Sequence, residues 1–466
     1  MLDPGNKGKK CDLLLDLADA LRLGGQAQRA LDGELSEAYS LAESMDDRAR
    51  ASRACTSAIR GLRFSGNFTP ALWAGSQAAL WIERADRYAE EGTLARAWAD
   101  ASMGQTRYIT GVLTGQPGLV SEAVRLFSRA LELARGLGDP ETFWFVTWVW
   151  LFLATAPQHD KERQRLAEEF ETRSRAGVSE ATLGQALAVI GSVLLQSGQR
   201  QGAEECFAEL KAIAERSRQG NLLVFSMACD ALVATLDGRL DDAIVLGRQI
   251  QALGEELGFS TFGVTYELMA ARTALTYVGK FEELDRLAGL VKYGRTELLL
   301  AHLHRDSEAM AVLDELIASR AGLEPSEDET AAFSDMRSLE AAILVGHRKA
   351  AEFLVRRIAH SGLHTTDLSN GLTCPSRHLG AAAAFLGRHD EARAYYEEAL
   401  DMATRLRFRP EIALTRLELA ELLLAHYPDE KAEATEHLDF AIRELREMKM
   451  QPALDRALKQ RENLKA

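Results

Sequence analysis

Cysteine is scarce and scattered. Cys11, Cys55, Cys206, Cys229 and Cys374 never form a CxxC pair, so neither a disulfide framework nor a zinc site is expected, and the chain reads as cytoplasmic. Only 10 prolines interrupt 466 residues, and alternating apolar and polar runs bounded by Asn-Gly or Asp-Gly turns are missing, which argues against a sheet. Positive charge is also in deficit: 55 basic against 69 acidic residues give a net charge of -14, which repels phosphate backbones and excludes direct nucleic-acid binding from the expectations. No apolar run reaches the roughly 20 residues of a bilayer helix. The most apolar one, Phe143 to Ala156, is ended by Pro157 and the charged "HDKERQR", so no membrane segment is expected. The opening "MLDPGNKGKKCDLLLDLADAL" lacks the separate apolar region and small-residue cleavage site of a secretory leader.

Catalytic signatures are equally thin. "GNKGKK" near the start has the wrong glycine spacing for a phosphate cradle, no Ser or Thr after its lysine and no strand before it. GxGxxG and GxSxG are absent. "HLH" sets His302 and His304 on different helix faces, and His360 and His364 are four apart across a glycine where a helix should end. Asp46 with Asp47 and Asp241 with Asp242 lack a third carboxylate one turn on, and charges in a first helical turn explain them. The expectation is a non-enzyme with no cofactor and no metal.

What the sequence has is a repeating turn. A glycine followed five residues later by a small or apolar residue that opens an amphipathic helix recurs at Gly25, Gly66, Gly198, Gly238, Gly279, Gly346 and Gly387. Gly66 follows Gly25 by 41 residues, Gly238 follows Gly198 by 40, Gly279 follows Gly238 by 41 and Gly387 follows Gly346 by 41. Gly115, Ala156 and Tyr427 fill gaps at the same pitch, and a shortened unit is expected around "LLLAHLHRDSEAMAVLDELI". Each unit reads as helix, turn, helix, with apolar residues three and four apart. A left-handed glycine ends the first helix. Such periods with two helices per unit predict an all-α, right-handed α-solenoid of about eleven repeats.

The chain resembles the tetratricopeptide repeat family. In "LGAAAAFLGRHDEARAYYEEAL", Leu379, Gly380, Ala392, Tyr396 and Ala399 fall on family packing positions, as do Ile190, Gly191, Ala203 and Phe207, and Ala123, Phe127 and Ala130. Ala383 departs from the usual tyrosine, His389 from the aromatic common after the turn, and the pitch from the usual shorter repeat. The longer unit is similar to the C-terminal arm of large bacterial signalling ATPases, including LuxR-type regulators related to the maltose regulator and nucleotide cyclases with an AAA-type ATPase. The last 90 or so residues carry that narrower likeness. The implied layout is a flexible tail over 1–10, one elongated array over 11–450 that is irregular near 280–325, and a C-terminal capping helix over 451–466.

Within that frame "TFWFVTWVWLFLA" (142–154) is the inner helix of a repeat: Phe145, Trp148 and Phe152 share the packed face, Trp144 and Leu151 point to a neighbouring repeat, and Phe143 and Trp150 lie toward the groove. The competing reading makes its aromatics part of a ligand pocket. Projecting the family's concave face nominates Trp150, Gln185, Ser192, Tyr266, Thr273, Tyr277, Glu340, Arg377 and Glu421 as groove residues. The expected function is a protein-interaction or sensor scaffold in signalling that binds a protein or peptide segment in this groove. The alternatives are a small-molecule effector module and, last, an all-α enzyme without a recognisable motif.

Overall fold

The computed structural model describes residues 6–23, 26–64, 75–170, 172–258, 260–291, 296–324, 327–359, 363, 365 and 372–464, with the side chains of Leu23, Arg63, Phe64 and Leu113 excepted. Every regular element among the described residues is helical. Gly25, Gly66, His360 and His364, singled out above, lie outside the described residues.

Turn chemistry follows from the sequence pattern. Gly115, Gly198, Gly238, Gly279, Gly346 and Gly387 all have positive φ. At Gly238 (φ 76°) the reversal lets the Arg239 amide reach back to the Ala234 carbonyl at 2.8 Å, which satisfies a carbonyl the helix end leaves open. The next helix starts at Leu240. The shortened unit makes the same turn without glycine: His304 sits at φ 56°, and Arg305 donates to the Leu300 carbonyl at 2.9 Å. Ala156 and Tyr427 behave differently. Each precedes a proline, keeps a negative φ (-72° and -131°) and leads into a short 3-10 turn, as expected of a residue that proline bars from the helical region.

Packing inside the helix pairs explains the small residues. A Cβ on Gly380 would lie 2.7 Å from the Tyr396 ring, and one on Gly104 2.6 Å from Phe127. In these pairs the aromatic of the second helix therefore rests on bare backbone of the first.

The helices form two compact units, Met1–Ala154 with Arg173–Ala186, and Thr155–Thr172 with Leu187–Ala466. In the first, Pro140–Leu153 is buried along nearly its whole length, including Phe143, Trp144, Phe145, Trp148 and Trp150. Trp98 stacks on Phe145 at 3.9 Å and donates its indole N–H to Thr142 Oγ1 at 2.9 Å. Trp144 donates to the Ser174 carbonyl at 3.1 Å and Trp150 to Ser128 Oγ at 3.4 Å. The apolar run is thus core, with its polar ring atoms satisfied inside it. Among the described residues no helix is long and apolar enough to cross a membrane.

In the second unit, late helices return to early ones. Arg200 donates to the carbonyl of Leu406 at 2.9 Å, Lys449 pairs with Asp241 at 2.6 Å, and the helix Gln451–Asn463 packs on Ser260–Val278. That return leaves an enclosed space between Ser260–Val278 and the helices that follow it.

Candidate functional site

The second unit contains a cavity of about 520 Å³, within the range of small-ligand pockets. Its walls come from the helices Ser260–Val278, Glu297–His302, Ala332–Leu344, Pro375–Phe385, Arg409–His426 and Gln451–Asn463 and from Leu372 and Thr373. Phe281, Leu284, Leu298, Phe333, Met336 and Leu414 supply an apolar lining.

One side of this space is a charge network that leaves Glu418 Oε2 buried without a hydrogen-bond partner among the described residues. Arg377 is buried and donates from Nε to Glu411 Oε2 at 2.7 Å and from Nη1 to Glu418 Oε1 at 2.9 Å. Burial opposes its charge, but Glu411 and Glu418 hold its pKa well above the ordinary arginine value. Tyr277 donates its hydroxyl to Glu411 Oε1 at 2.5 Å. Burial, reinforced by the Glu411 charge, keeps that phenol protonated far above its usual range. Neighbouring His378 is driven the other way, first by burial and then by Arg377, so it is neutral, with Nε2 2.6 Å from Thr373 Oγ1. Arg456 pairs with Glu421 at 3.0 Å, and Arg337 with Glu297 at 3.0 Å.

Other lining groups are not satisfied. Among the described residues the Arg272 guanidinium has neither a hydrogen bond nor an ion pair, although it shares the wall with Arg337, Arg377 and Arg456, all of which are paired. Burial lowers its pKa to about 10, nearby Arg337 lowers it further and Glu297 opposes. Glu340 accepts no hydrogen bond among the described residues, and His378 Nε2 lies 3.9 Å from its Oε2. Burial pushes its carboxyl up to about 7 against the pull of Arg377. His302 stacks on Phe281 at 4.4 Å, its Nε2 is buried without a partner, and burial lowers its pKa to about 4. Polar groups withdrawn from bulk water are normally paired, so the grouping of half-buried Arg272 and Glu340 with the orphaned His302 Nε2 in one cavity marks it as a candidate site.

Of the nine groove residues nominated from sequence, Thr273, Tyr277, Glu340 and Arg377 line this cavity, and Glu421 anchors its Arg456. Tyr266 is buried in an aromatic cluster with Phe225 and Phe262, at 5.3 and 4.5 Å. Ser192 is buried elsewhere in the same unit, while Trp150 and Gln185 are buried in the first unit. Two cavity positions are engaged by the chain itself: Thr273 Oγ1 accepts from the Leu372 amide at 2.8 Å, and Tyr277 also donates to the Leu372 carbonyl at 3.3 Å. Glu411 completes that hold by accepting from the Cys374 amide at 3.2 Å. A segment of the same chain therefore takes backbone bonds that an extended peptide partner would use.

Sequence reasoning missed Arg272, Glu411, Glu418 and Arg456, and weighed His302 only as a metal ligand before setting it aside. Arg272 carried a readable signal, as the one basic residue of the helix Ser260–Val278. The others come from helices too distant in sequence for spacing to link them. All five cysteines are free and buried, and among the described residues no three His, Cys, Asp or Glu side chains are grouped to hold a metal ion.

A family model of the tetratricopeptide repeat matches residues 378–405, the stretch in which Gly380 receives Tyr396. No curated protein matches the chain. Among the described residues the regular elements are all helical, and 378–405 is a tetratricopeptide-type repeat, a build that generally mediates protein–protein interaction.

Proposed function

We propose that this chain is a non-enzymatic regulatory scaffold that senses a small effector in the cavity of its second unit and offers its helix pairs to a protein partner. The observation that carries the sensor reading is that Arg272, with no partner among the described residues, and Glu340, with no hydrogen bond among them, both line a cavity of about 520 Å³ whose groove-like positions are already engaged by Leu372. A partner peptide in the same place would have to displace that segment and its bonds to Thr273, Tyr277 and Glu411. An effector needs only the remaining space. The likeness of the last residues to the arm of signalling ATPases supports a role in signalling, and cytoplasmic residence agrees with five cysteines that form no disulfide. Neither nucleotide hydrolysis nor cyclisation is credited to the chain, because the sequence carries no motif for either.

The test is a thermal-shift screen of metabolites on the full chain, followed by hydrogen exchange with any compound that stabilises it. Binding to the native state alone raises stability with ligand concentration. The expected result is a saturable rise in Tm with slower exchange in 297–302, 332–344 and 451–463. Stabilisation with protection confined to other helices would overturn the placement of the sensor site.

A further inference from the structure

We infer that the cavity takes a small organic monoanion, its charged head on Arg272 and its apolar body along Phe281, Phe333, Met336 and Leu414. This rests on the sensor reading above and names the chemistry of the ligand.

The head follows from charge. Arg272 is half-buried on the cavity wall, and a guanidinium drawn out of bulk water without a partner is costly, so proteins normally pair it. Here three of the four lining arginines are paired: Arg337 with Glu297, Arg377 with Glu411 and Glu418, and Arg456 with Glu421. Glu297, the acid nearest Arg272 in electrostatic effect, is already committed to Arg337 and to the Ser338 hydroxyl at 2.7 Å. The free fork therefore offers parallel donors to a carboxylate or phosphate oxygen pair, the geometry guanidinium serves best. A head of higher charge is disfavoured, since Glu340, Glu418 and Asp306 line the same space and, among the described residues, Arg272 alone of its arginines lacks a partner.

The body follows from the lining and the size. Rings and branched side chains cover most of the remaining wall, and an apolar chain or ring gains by removing that surface from water. A bare inorganic anion would satisfy Arg272 yet leave that wall uncovered.

The experiment is calorimetric titration of the full chain with decanoate, decanol and inorganic phosphate, repeated on Arg272→Met and Arg272→Lys. We expect decanoate to bind saturably and at least tenfold more tightly than decanol or phosphate. Arg272→Met should abolish the preference for decanoate over decanol, and Arg272→Lys should keep part of it. Arg272→Met should fold with an unchanged or higher Tm, because it removes a half-buried charge with no partner among the described residues and keeps the stem; a purely structural arginine would give a lower one. If Arg272→Met does not fold, the lysine variant decides, since loss of the hydrogen-bonding fork must weaken decanoate and leave decanol unmoved. Equal binding of decanoate and decanol would overturn the anion site while leaving a sensor cavity. Phosphate binding as tightly as decanoate would overturn the apolar body. Silence from all three probes would overturn this inference, and the metabolite screen would then decide the sensor reading separately.

Discussion

Tyr277 and Glu411, 134 residues apart in sequence, are joined by a 2.5 Å hydrogen bond in which the phenol donates to the carboxylate. Glu411 is fully buried and also receives Arg377, Thr373 and the Cys374 amide. Tyr277→Phe removes one donor and leaves the others, so the carboxylate is weakened in its support without being orphaned. A hydrogen bond to a charged group contributes about 1.5–3 kcal/mol. We expect Tyr277→Phe to lose an amount near the lower end of that range in urea denaturation, and Glu411→Ala to lose more, because it strands the Arg377 guanidinium. Equal effects of the two substitutions would contradict the network.

How much of this was legible in the sequence depended on the range of the interaction. The turn at Gly238 is local: one left-handed residue and one amide reaching back to Ala234, so the glycine period disclosed it. Burial of Trp148 followed equally from helical spacing. Thr273, Tyr277, Glu340 and Arg377 could be nominated because the repeat period carries a face from one helix to the next. The bond from Tyr277 to Glu411 was not legible, since it depends on late helices returning to early ones, and nothing in a period of about 41 residues dictates that return. Trp150 was nominated for the same face as Tyr277, yet it is enclosed in the first unit with its N–H on Ser128. A period fixes which face a residue occupies, whereas what covers that face is decided by packing far away in the chain.

Gly380 tests the contact at the centre of the tetratricopeptide match. An added Cβ would come within 2.7 Å of two ring carbons of Tyr396, and the ring is buried with little room to yield. Overpacking of this kind typically costs about 1–3 kcal/mol, against the fraction of a kcal/mol that alanine gains over glycine in a helix. Gly380→Ala should therefore lower stability by about 1–2 kcal/mol, and pairing it with Tyr396→Leu should recover part of the loss. The double-mutant cycle measured by denaturation checks this; simple additivity would show that the ring does not rest on the glycine.

Glu340 sets a pH dependence whose sign can be worked out. Its folded pKa lies at about 7 against an ordinary 4.5, chiefly through burial, with Arg377 and Arg456 opposing and Glu411 and Glu418 adding; the nearby His378 is neutral. Between these two values the folded chain holds the proton more tightly than the unfolded one. The stability this group contributes is full below pH 4.5 and is lost as pH rises through 7. Glu340→Gln should match the parent at pH 4 and exceed it at pH 8 by about 1–3 kcal/mol. His302 acts oppositely: its pKa of about 4 makes the parent lose stability as pH falls from 6.5 toward 4. The quantity to measure is accordingly the difference between variant and parent across pH, in which the histidine cancels. A difference that grows toward acid would reverse the assignment.

Asp335 holds two arginines at once. It is fully buried and receives Arg320 Nη1 at 2.6 Å and Arg357 Nε at 2.8 Å, while Arg320 also reaches Asp328 at 2.7 Å. Burial raises the Asp335 pKa and the two guanidiniums oppose that rise, so the carboxylate is stable only in their company. Removing one member of a buried ion cluster leaves charge without compensation and typically costs about 3–5 kcal/mol. Asp335→Ala should reach that range, while Asp328→Ala should cost less, because Asp335 still serves both arginines. Adding Arg357→Met to Asp335→Ala should restore part of the loss, since it withdraws one of the two stranded charges and keeps an apolar side chain in its place. Urea denaturation of the three variants and the parent measures this directly. A double variant less stable than Asp335→Ala would show that Arg357 is held chiefly by its bonds to the carbonyls of Asp328 and Thr330 and not by the carboxylate.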